Sequence, residues 1–540
     1  MDLILYNGNL HTMDKDAGLK ARAVAVRGGI IQAVGSDEEI LKLKDANTKV
    51  IDLKGKTAIP AFNDSHCHLL GYATGLSMLD LNGIKSIDEM ISRFKNFIKE
   101  NNIPEGTEVR GFGWNQNLFE KEQRNPTKYD LDKVSAAHPI FATRACHHVA
   151  VANSAMLKRF GIDKNTPEVF GGEIVREENG EPLGIFNETA MSLLKNEEVL
   201  DAPAIEALIL KAAPNLAKMG ITSVQSDDFT PRTPFKAVYE AYINLARAGK
   251  LTIRVNEQCR QSGIENYKKM LELKQVDKDV APYFKLGPVK ILADGSLGGR
   301  TAFMKEDYYD EPGNKGIPIY SKEEFNQIVN LCHEKDRPVA IHAIGDAIMQ
   351  WCVDAIKEVQ AKKPKPDLRH GIIHCQITDE DLLREFKANN IIAYIQPIFI
   401  HADWGVVADR VGKAKASTSY AFKTLKDSGV YIPFGTDCPV EGFDPFKNIY
   451  CAVTRKDLFG RPEGGYNSHE ALNVYEAVYA YTVDSAYASY DENVKGMIKA
   501  GMYADIAVLT KNIFEIEAEE ILKTEVAMTV FNGTVIYEKV

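Results

Sequence analysis

Val339-Ala340-Ile341-His342-Ala343 and Gly371-Ile372-Ile373-His374-Cys375 are short apolar runs, each carrying a histidine near its end, with a longer helical pattern between them. Runs of this kind read as strands buried on both faces, and strand–helix–strand succession is the unit of a parallel sheet. Comparable runs occupy 58–64, 222–227, 252–259, 287–293, 338–342, 371–374, 391–396 and 431–436, again alternating with helical patterns. Those eight runs are the number that closes a (β/α)8 TIM barrel, an α/β fold.

The gap between the first run and the second is too long for one helix and one loop. Residues from about 75 to 205 should therefore hold an inserted α+β subdomain, lying over the barrel mouth and shaping a pocket there. Both termini read differently. Short strands at 3–5, 23–27, 30–34 and 50–53 are broken by Asn7-Gly8 and Gly28-Gly29, and strands at 504–509 and 527–531 precede an Asn532-Gly533 hairpin. Neither end alone buries a sheet, so 1–56 and 491–540 together should make one small composite β-sandwich domain around a barrel spanning 57–490.

A chain of 540 residues exceeds what one hydrophobic core supports, in keeping with this division. The net charge of −10 argues against partners that demand broad phosphate neutralisation, which excludes nucleic acid and anionic membrane surfaces as first expectations. The start lacks a basic flank followed by an apolar run, and no stretch is long enough to span a bilayer, so the expected location is cytoplasmic. Eight cysteines with no C-x-x-C spacing read as reduced core thiols.

The first run ends in Asn63-Asp64-Ser65-His66-Cys67-His68. Alternate residues of a strand share a face about 6.5–7 Å apart, so His66 and His68 can converge on one ion. That pair alone carries little weight; position adds to it. His342 and His374 close the fifth and sixth runs, Asp437 follows the eighth, and Lys290 lies in the fourth. In a (β/α)8 barrel the C-terminal strand ends gather at one face, so these six side chains would meet there as a metal site. A metal of the zinc type lowers the pKa of bound water and polarises a carbonyl, and Asp437 would take a proton from the water and return it to the leaving nitrogen.

The segment 63–68, together with Lys290-Ile291-Leu292-Ala293-Asp294-Gly295-Ser296-Leu297-Gly298-Gly299-Arg300-Thr301-Ala302 and Gly435-Thr436-Asp437-Cys438-Pro439-Val440-Glu441, resembles amidohydrolase family 3. This is the YtcJ-like branch of the amidohydrolase superfamily, which includes N-substituted formamide deformylases. The resemblance implies His66, His68, His342, His374 and Asp437 as metal-site residues, with Lys290 matching a lysine that bridges two ions after carboxylation. It implies a hydrolase acting on an amide or other C–N bond of a small molecule, N-acyl or N-formyl in type. It also implies one or two zinc ions, with iron, manganese or cobalt as substitutes, and a homodimer. The superfamily includes isomerases, deaminases and decarboxylases on similar centres, and a non-catalytic binding scaffold is the remaining alternative.

Trp114, His148, Asp294 and Arg300 are the candidate substrate contacts. For Trp114 the competing role is core packing. For Asp294 and Arg300 it is holding the loop after Lys290 by a salt bridge. His370 precedes His374 in a strand-like context, so it reads as a supporting group and not as half of a helical zinc motif. Two departures bear on substrate identity: Ile373 stands where family members often carry Glu, and Cys146-His147-His148 where many carry Asp-Gly-His.

Overall fold

The computed structural model describes residues 1–16, 18–144, 149–169, 172–194, 199–273 and 275–539. The chain divides into two compact units, one made of Met1–Tyr72 and Leu200–Val540, the other of Ala73–Val199.

In the first unit seven strands form one parallel sheet: β1 (Phe62–Cys67), β2 (Ile221–Ser226), β3 (Arg254–Arg260), β4 (Phe284–Leu292), β5 (Val339–Ala343), β6 (Gly371–His374) and β7 (Ile392–Tyr394). Strands adjacent in this series are adjacent in the sheet, which is the order a singly wound barrel requires. Residues 431–436 fill the eighth place with sparse pairing. The amides of Ala393 and Ile395 donate to the carbonyls of Tyr431 and Pro433, and the Ser65 amide donates to the Phe434 carbonyl. Pro433 has no N–H to complete a ladder, which is why the segment is irregular. Bonded to β7 on one side and β1 on the other, it closes the (β/α)8 barrel.

Helices return the chain between strands because each carries an apolar stripe for the sheet. In Ala202–Lys218 the Asp201 side chain caps the first turn by accepting from the Ala204 amide, and Ile205, Ile209, Ala212, Ala213 and Leu216 form the buried face. Among the described residues no helix is long and apolar enough to cross a membrane. The seven cysteines among them are buried and unpaired.

The run expected at 58–64 divides in two. Thr57–Pro60 pairs antiparallel with Ile506–Leu509 in a separate six-stranded sheet, and β1 begins only at Phe62. The amide of Ala61 goes to the Asp505 carbonyl and that of Phe62 to the Gly220 carbonyl, so the chain passes between sheets within one residue. An unbroken apolar run leaves no sequence mark of that transfer.

The six-stranded sheet combines Asn9–His11, Lys20–Ala21 and Thr57–Pro60 with Ile506–Leu509, Val526–Phe531 and Thr534–Glu538. A four-stranded sheet of Leu3–Tyr6, Ala23–Arg27, Ile30–Gly35 and Lys49–Asp52 faces it. Alternate residues from both, including Leu3, Leu5, Val24, Val26, Ile506, Val508, Met528 and Val530, share one core, as period-two strands of a sandwich should. Asn532 and Gly533 both have positive φ, the tight turn that suits a two-residue hairpin. Arg254 of β3 reaches this sandwich: its guanidinium donates to both Asp505 oxygens at 2.7 and 3.1 Å and lies 3.8 Å from the Tyr503 ring centroid.

The second unit has its own six-stranded sheet, ordered Gly172–Arg176, Pro182–Glu188, Val149–Ala152, Ile140–Arg144, Val109–Trp114 and Leu79–Asp80. Met90, Phe94, Trp114, Leu131 and Ile140 belong to one core cluster, and Phe141, Met156 and Phe186 to another.

Candidate metal centre

His66 is the penultimate residue of β1 and His68 lies just beyond that strand; their ring centroids are 5.3 Å apart. Lys290 projects from β4, His342 from β5 and His374 from the last position of β6. Asp437 follows the closing segment, its amide bonded to the His66 carbonyl. One nitrogen from each of His66 and His374 and one Asp437 oxygen lie within 4.8 Å of one another, and all three residues are buried.

The hydrogen bonds orient these ligand atoms. His66 donates from Nδ1 to Gln258 Oε1 at 2.7 Å, and His374 donates from Nδ1 to Gln396 Oε1 at 2.8 Å. Each ring therefore leaves Nε2 unprotonated as a potential ligand. Gln258 is itself fixed, donating from Nε2 to the Ser65 carbonyl at 3.0 Å. Burial, reinforced by neighbouring cations, holds both rings well below the usual histidine range, so they are neutral. Burial alone would raise the Asp437 carboxyl, but the adjoining His66 ring, the hydrogen bond from His68 and the adjoining His374 ring outweigh it and keep it ionised. Neutral imidazoles and an anionic carboxylate are the protonation states that a metal requires of its ligands, so this donor set fits a divalent cation.

His68 and Lys290 touch the set. His68 Nε2 lies 3.1 Å from Asp437 Oδ1, and its Nδ1 contacts the Asp227 carbonyl oxygen at 2.9 Å. Lys290 is 2% exposed, and its Nζ is 3.0 Å from His66 Nε2. Burial pulls the Lys290 ammonium down to about 8 against the opposing pull of Asp227 and Asp437. His342 sits edge-on to His374, ring centroids 4.5 Å apart, but its Nε2 donates to the Gly295 carbonyl at 3.0 Å and so is turned from the cluster.

His374 and Asp437 have φ of 81° and 57°. Left-handed backbone in a non-glycine residue costs on the order of 1 kcal/mol and clusters at functional sites. The Asp64 carboxylate helps hold this arrangement by accepting from the Thr436 hydroxyl at 2.7 Å and from the Thr436 and His66 amides, each at 3.2 Å. Sequence reading missed Asp64, Gln258 and Gln396. The trace available was a polar run inside a barrel strand: Asn256, Glu257 and Gln258 are all buried in β3.

Of the substrate-contact candidates, Asp294 borders the site, its Oδ1 3.3 Å from His342 Nε2. Trp114 is fully buried within the second unit and donates from Nε1 to the Ala142 carbonyl at 3.1 Å, which gives it a packing role and corrects the pocket-lining expectation. Asp294 accepts from the amides of Phe303, Ile344 and Gly345. Arg300 pairs with Asp310 at 2.8 Å. Each of the two thus holds its own loop, and they do so without a salt bridge to each other. His148 lies outside the described residues. His370 is structural: its Nδ1 accepts from the Val339 amide and its Nε2 is 3.0 Å from His333 Nδ1. A cavity of about 540 Å³, lined by Asn256, Gly287, Arg337 and Leu368 among others, opens at the N-terminal strand ends and contains none of the metal-site residues.

Known proteins resemble this chain over nearly its whole length. The profile of the amidohydrolase family matches residues 49–537. The amidohydrolase-named protein YtcJ of Bacillus subtilis is 34% identical over 542 residues, covering all of both chains. An N-substituted formamide deformylase of Arthrobacter pascens is 28% identical, covering all of this chain and 98% of the other. The solved structure of an uncharacterized metal-dependent hydrolase from Pyrococcus horikoshii superposes with a TM-score of 0.79 at 28% identity, over 96% of this chain and 99% of that one.

Proposed function

The chain belongs to the amidohydrolase family, and on that footing we propose that it is a metal-dependent hydrolase cleaving an amide or related C–N bond, with an N-acyl or N-formyl amide as substrate and Asp437 as the proton-transferring group. The observation that carries this reading is the meeting of His66, His374 and Asp437 at one barrel face, in ligand-ready protonation states. These three would hold the ion, with His68 and Lys290 adjacent as further ligands, and His342 would join them only by turning its ring from the Gly295 carbonyl. When bound, a divalent metal such as zinc supplies Lewis acidity, polarising the scissile carbonyl and making water acidic near neutral pH.

Asp437, ionised at rest, accepts a proton from the attacking water and passes it to the leaving nitrogen as the C–N bond breaks. An amine is a poor leaving group until protonated, and a single carboxylate can serve both steps in turn. Gln258 and Gln396 keep the two rings in the tautomer that presents Nε2. Because burial pulls Lys290 toward neutrality, its Nζ lone pair can add to carbon dioxide and lose a proton, giving a carbamate anion. That product replaces a cation that would repel metal with an anion able to bridge two ions. The deformylase relative, aligned over this whole chain, supports the choice of C–N chemistry.

The test is amine release from a panel of N-formyl and N-acyl amines, with oxygen-18 water as the solvent label. Wild type should release amine and labelled acid in equal amounts, and Asp437→Asn should lose at least about 1000-fold in kcat. Product without incorporated label, or an undiminished Asp437→Asn, would remove the reading.

A further inference from the structure

Arg260 is the last residue of β3 and is the register partner of Lys290 on β4. Register partners in a parallel pair project to the same side of the sheet, so Arg260 faces the same barrel mouth as Lys290. Its Nε lies 3.2 Å from Oδ1 of Asp227, a carboxylate whose side chain is 1% exposed, whereas the Arg260 side chain is 29% exposed. Asp227 in turn touches the metal centre, since His68 Nδ1 lies 2.9 Å from its carbonyl oxygen. Among the described residues Arg260 has no second ion-pair partner, and its Nη atoms reach no protein acceptor.

A guanidinium has two usable edges. Here the Nε edge is ion-paired with a buried acid whose carbonyl contacts His68, and the Nη fork is left open at the mouth. A guanidinium held in such an ion pair has less rotational freedom to lose when a ligand arrives, and the two parallel N–H bonds of its fork match the spacing of a carboxylate. A guanidinium serving only as the counterion of Asp227 would have no need of exposure.

Building on the hydrolase reading above, we propose that Arg260 binds a substrate carboxylate, and that the preferred substrates are amides carrying that anion close to the scissile bond. Asp227 is then a positioning residue, setting the angle of the fork.

The experiment compares two matched pairs: N-acetylglycine with its neutral methyl ester, and succinanilate with N-phenylbutanamide. These place the carboxylate on the amine side and the acyl side respectively. Each is measured for kcat and KM, and for binding by calorimetry, with wild type, Arg260→Met and Arg260→Lys. Wild type should favour the anionic member of at least one pair by about 10-fold or more in KM and in binding. Arg260→Met should erase that preference while changing the neutral member by less than about 3-fold, and Arg260→Lys should restore part of it. Equal handling of both members by wild type, or an equal loss for both in Arg260→Met, overturns the proposal. If no amide is cleaved yet the anions still bind through Arg260, carboxylate recognition stands and the C–N hydrolase reading fails.

Discussion

Replacing Gln258 by leucine isolates the support of one metal-facing histidine. Gln258 is fully buried, accepts from His66 Nδ1 at 2.7 Å and donates to the Ser65 carbonyl at 3.0 Å. Leucine, similar in size, strands both partners in a fully buried site. An unmet buried polar group costs about 1–3 kcal/mol, so the two together should remove about 2–4 kcal/mol of stability once partial relaxation is allowed. The larger effect is on the ion: with nothing holding its Nδ1–H, the ring loses both tautomer and orientation, and the loss of such a partner typically weakens metal binding about 10–100-fold. Two assays separate these terms, urea unfolding in the presence of a chelator and metal competition against a chromogenic chelator. Gln258→Glu, which keeps an acceptor for His66, should hold metal more tightly than Gln258→Leu. If Gln258→Leu bound metal within about 2-fold of wild type, the claim that this glutamine presents His66 Nε2 would be wrong.

Two further expectations concern stability. Asp505→Ala leaves the Arg254 guanidinium buried and uncompensated, so it should cost about 3–5 kcal/mol by urea unfolding, and Asp505→Leu combined with Arg254→Met should cost less than the single change; a loss under about 1 kcal/mol would show the pair to be idle. His370 is held neutral, mainly by burial and then by His333 and Lys365, with its pKa lowered to about 3. An unfolded histidine takes up its proton near pH 6.5, so between about pH 6.5 and 3 the unfolded chain binds more protons and stability falls with falling pH. At pH 5 the share due to His370 is about 2 kcal/mol, and it should vanish from the difference between pH 8 and pH 5 unfolding curves in His370→Phe. An unchanged difference would contradict that assignment.

The barrel was readable because its strands are apolar runs of the right length that end in chemically distinctive residues; His342 and His374 mark β5 and β6 without any structure. What escaped reading lay where one local pattern served two tertiary purposes. The run 58–64 looks continuous, yet Ala61 divides it between two sheets, and 431–436 looks like a strand, yet Pro433 leaves its ladder incomplete. At the site, residues that offer ligand atoms announce themselves by type, whereas the residues orienting them do not. Gln258 and Gln396 become visible only once folding places them against His66 and His374. His342 shows the converse limit, since its strand position predicts convergence but its Nε2 donates to the Gly295 carbonyl. Trp114, flanked by polar residues in sequence, is packed inside its own unit for the ordinary reason that a large ring buries well.

The most direct test of a metal-dependent centre is metal content per chain in protein purified without added metal, wild type beside Lys290→Ala and Asp437→Asn. Wild type should carry about two zinc equivalents, falling sharply in Lys290→Ala because the proposed carbamate bridge cannot form without that lysine. A wild-type protein that carries no metal, and takes up none on reconstitution with zinc, iron, manganese or cobalt, would contradict that expectation.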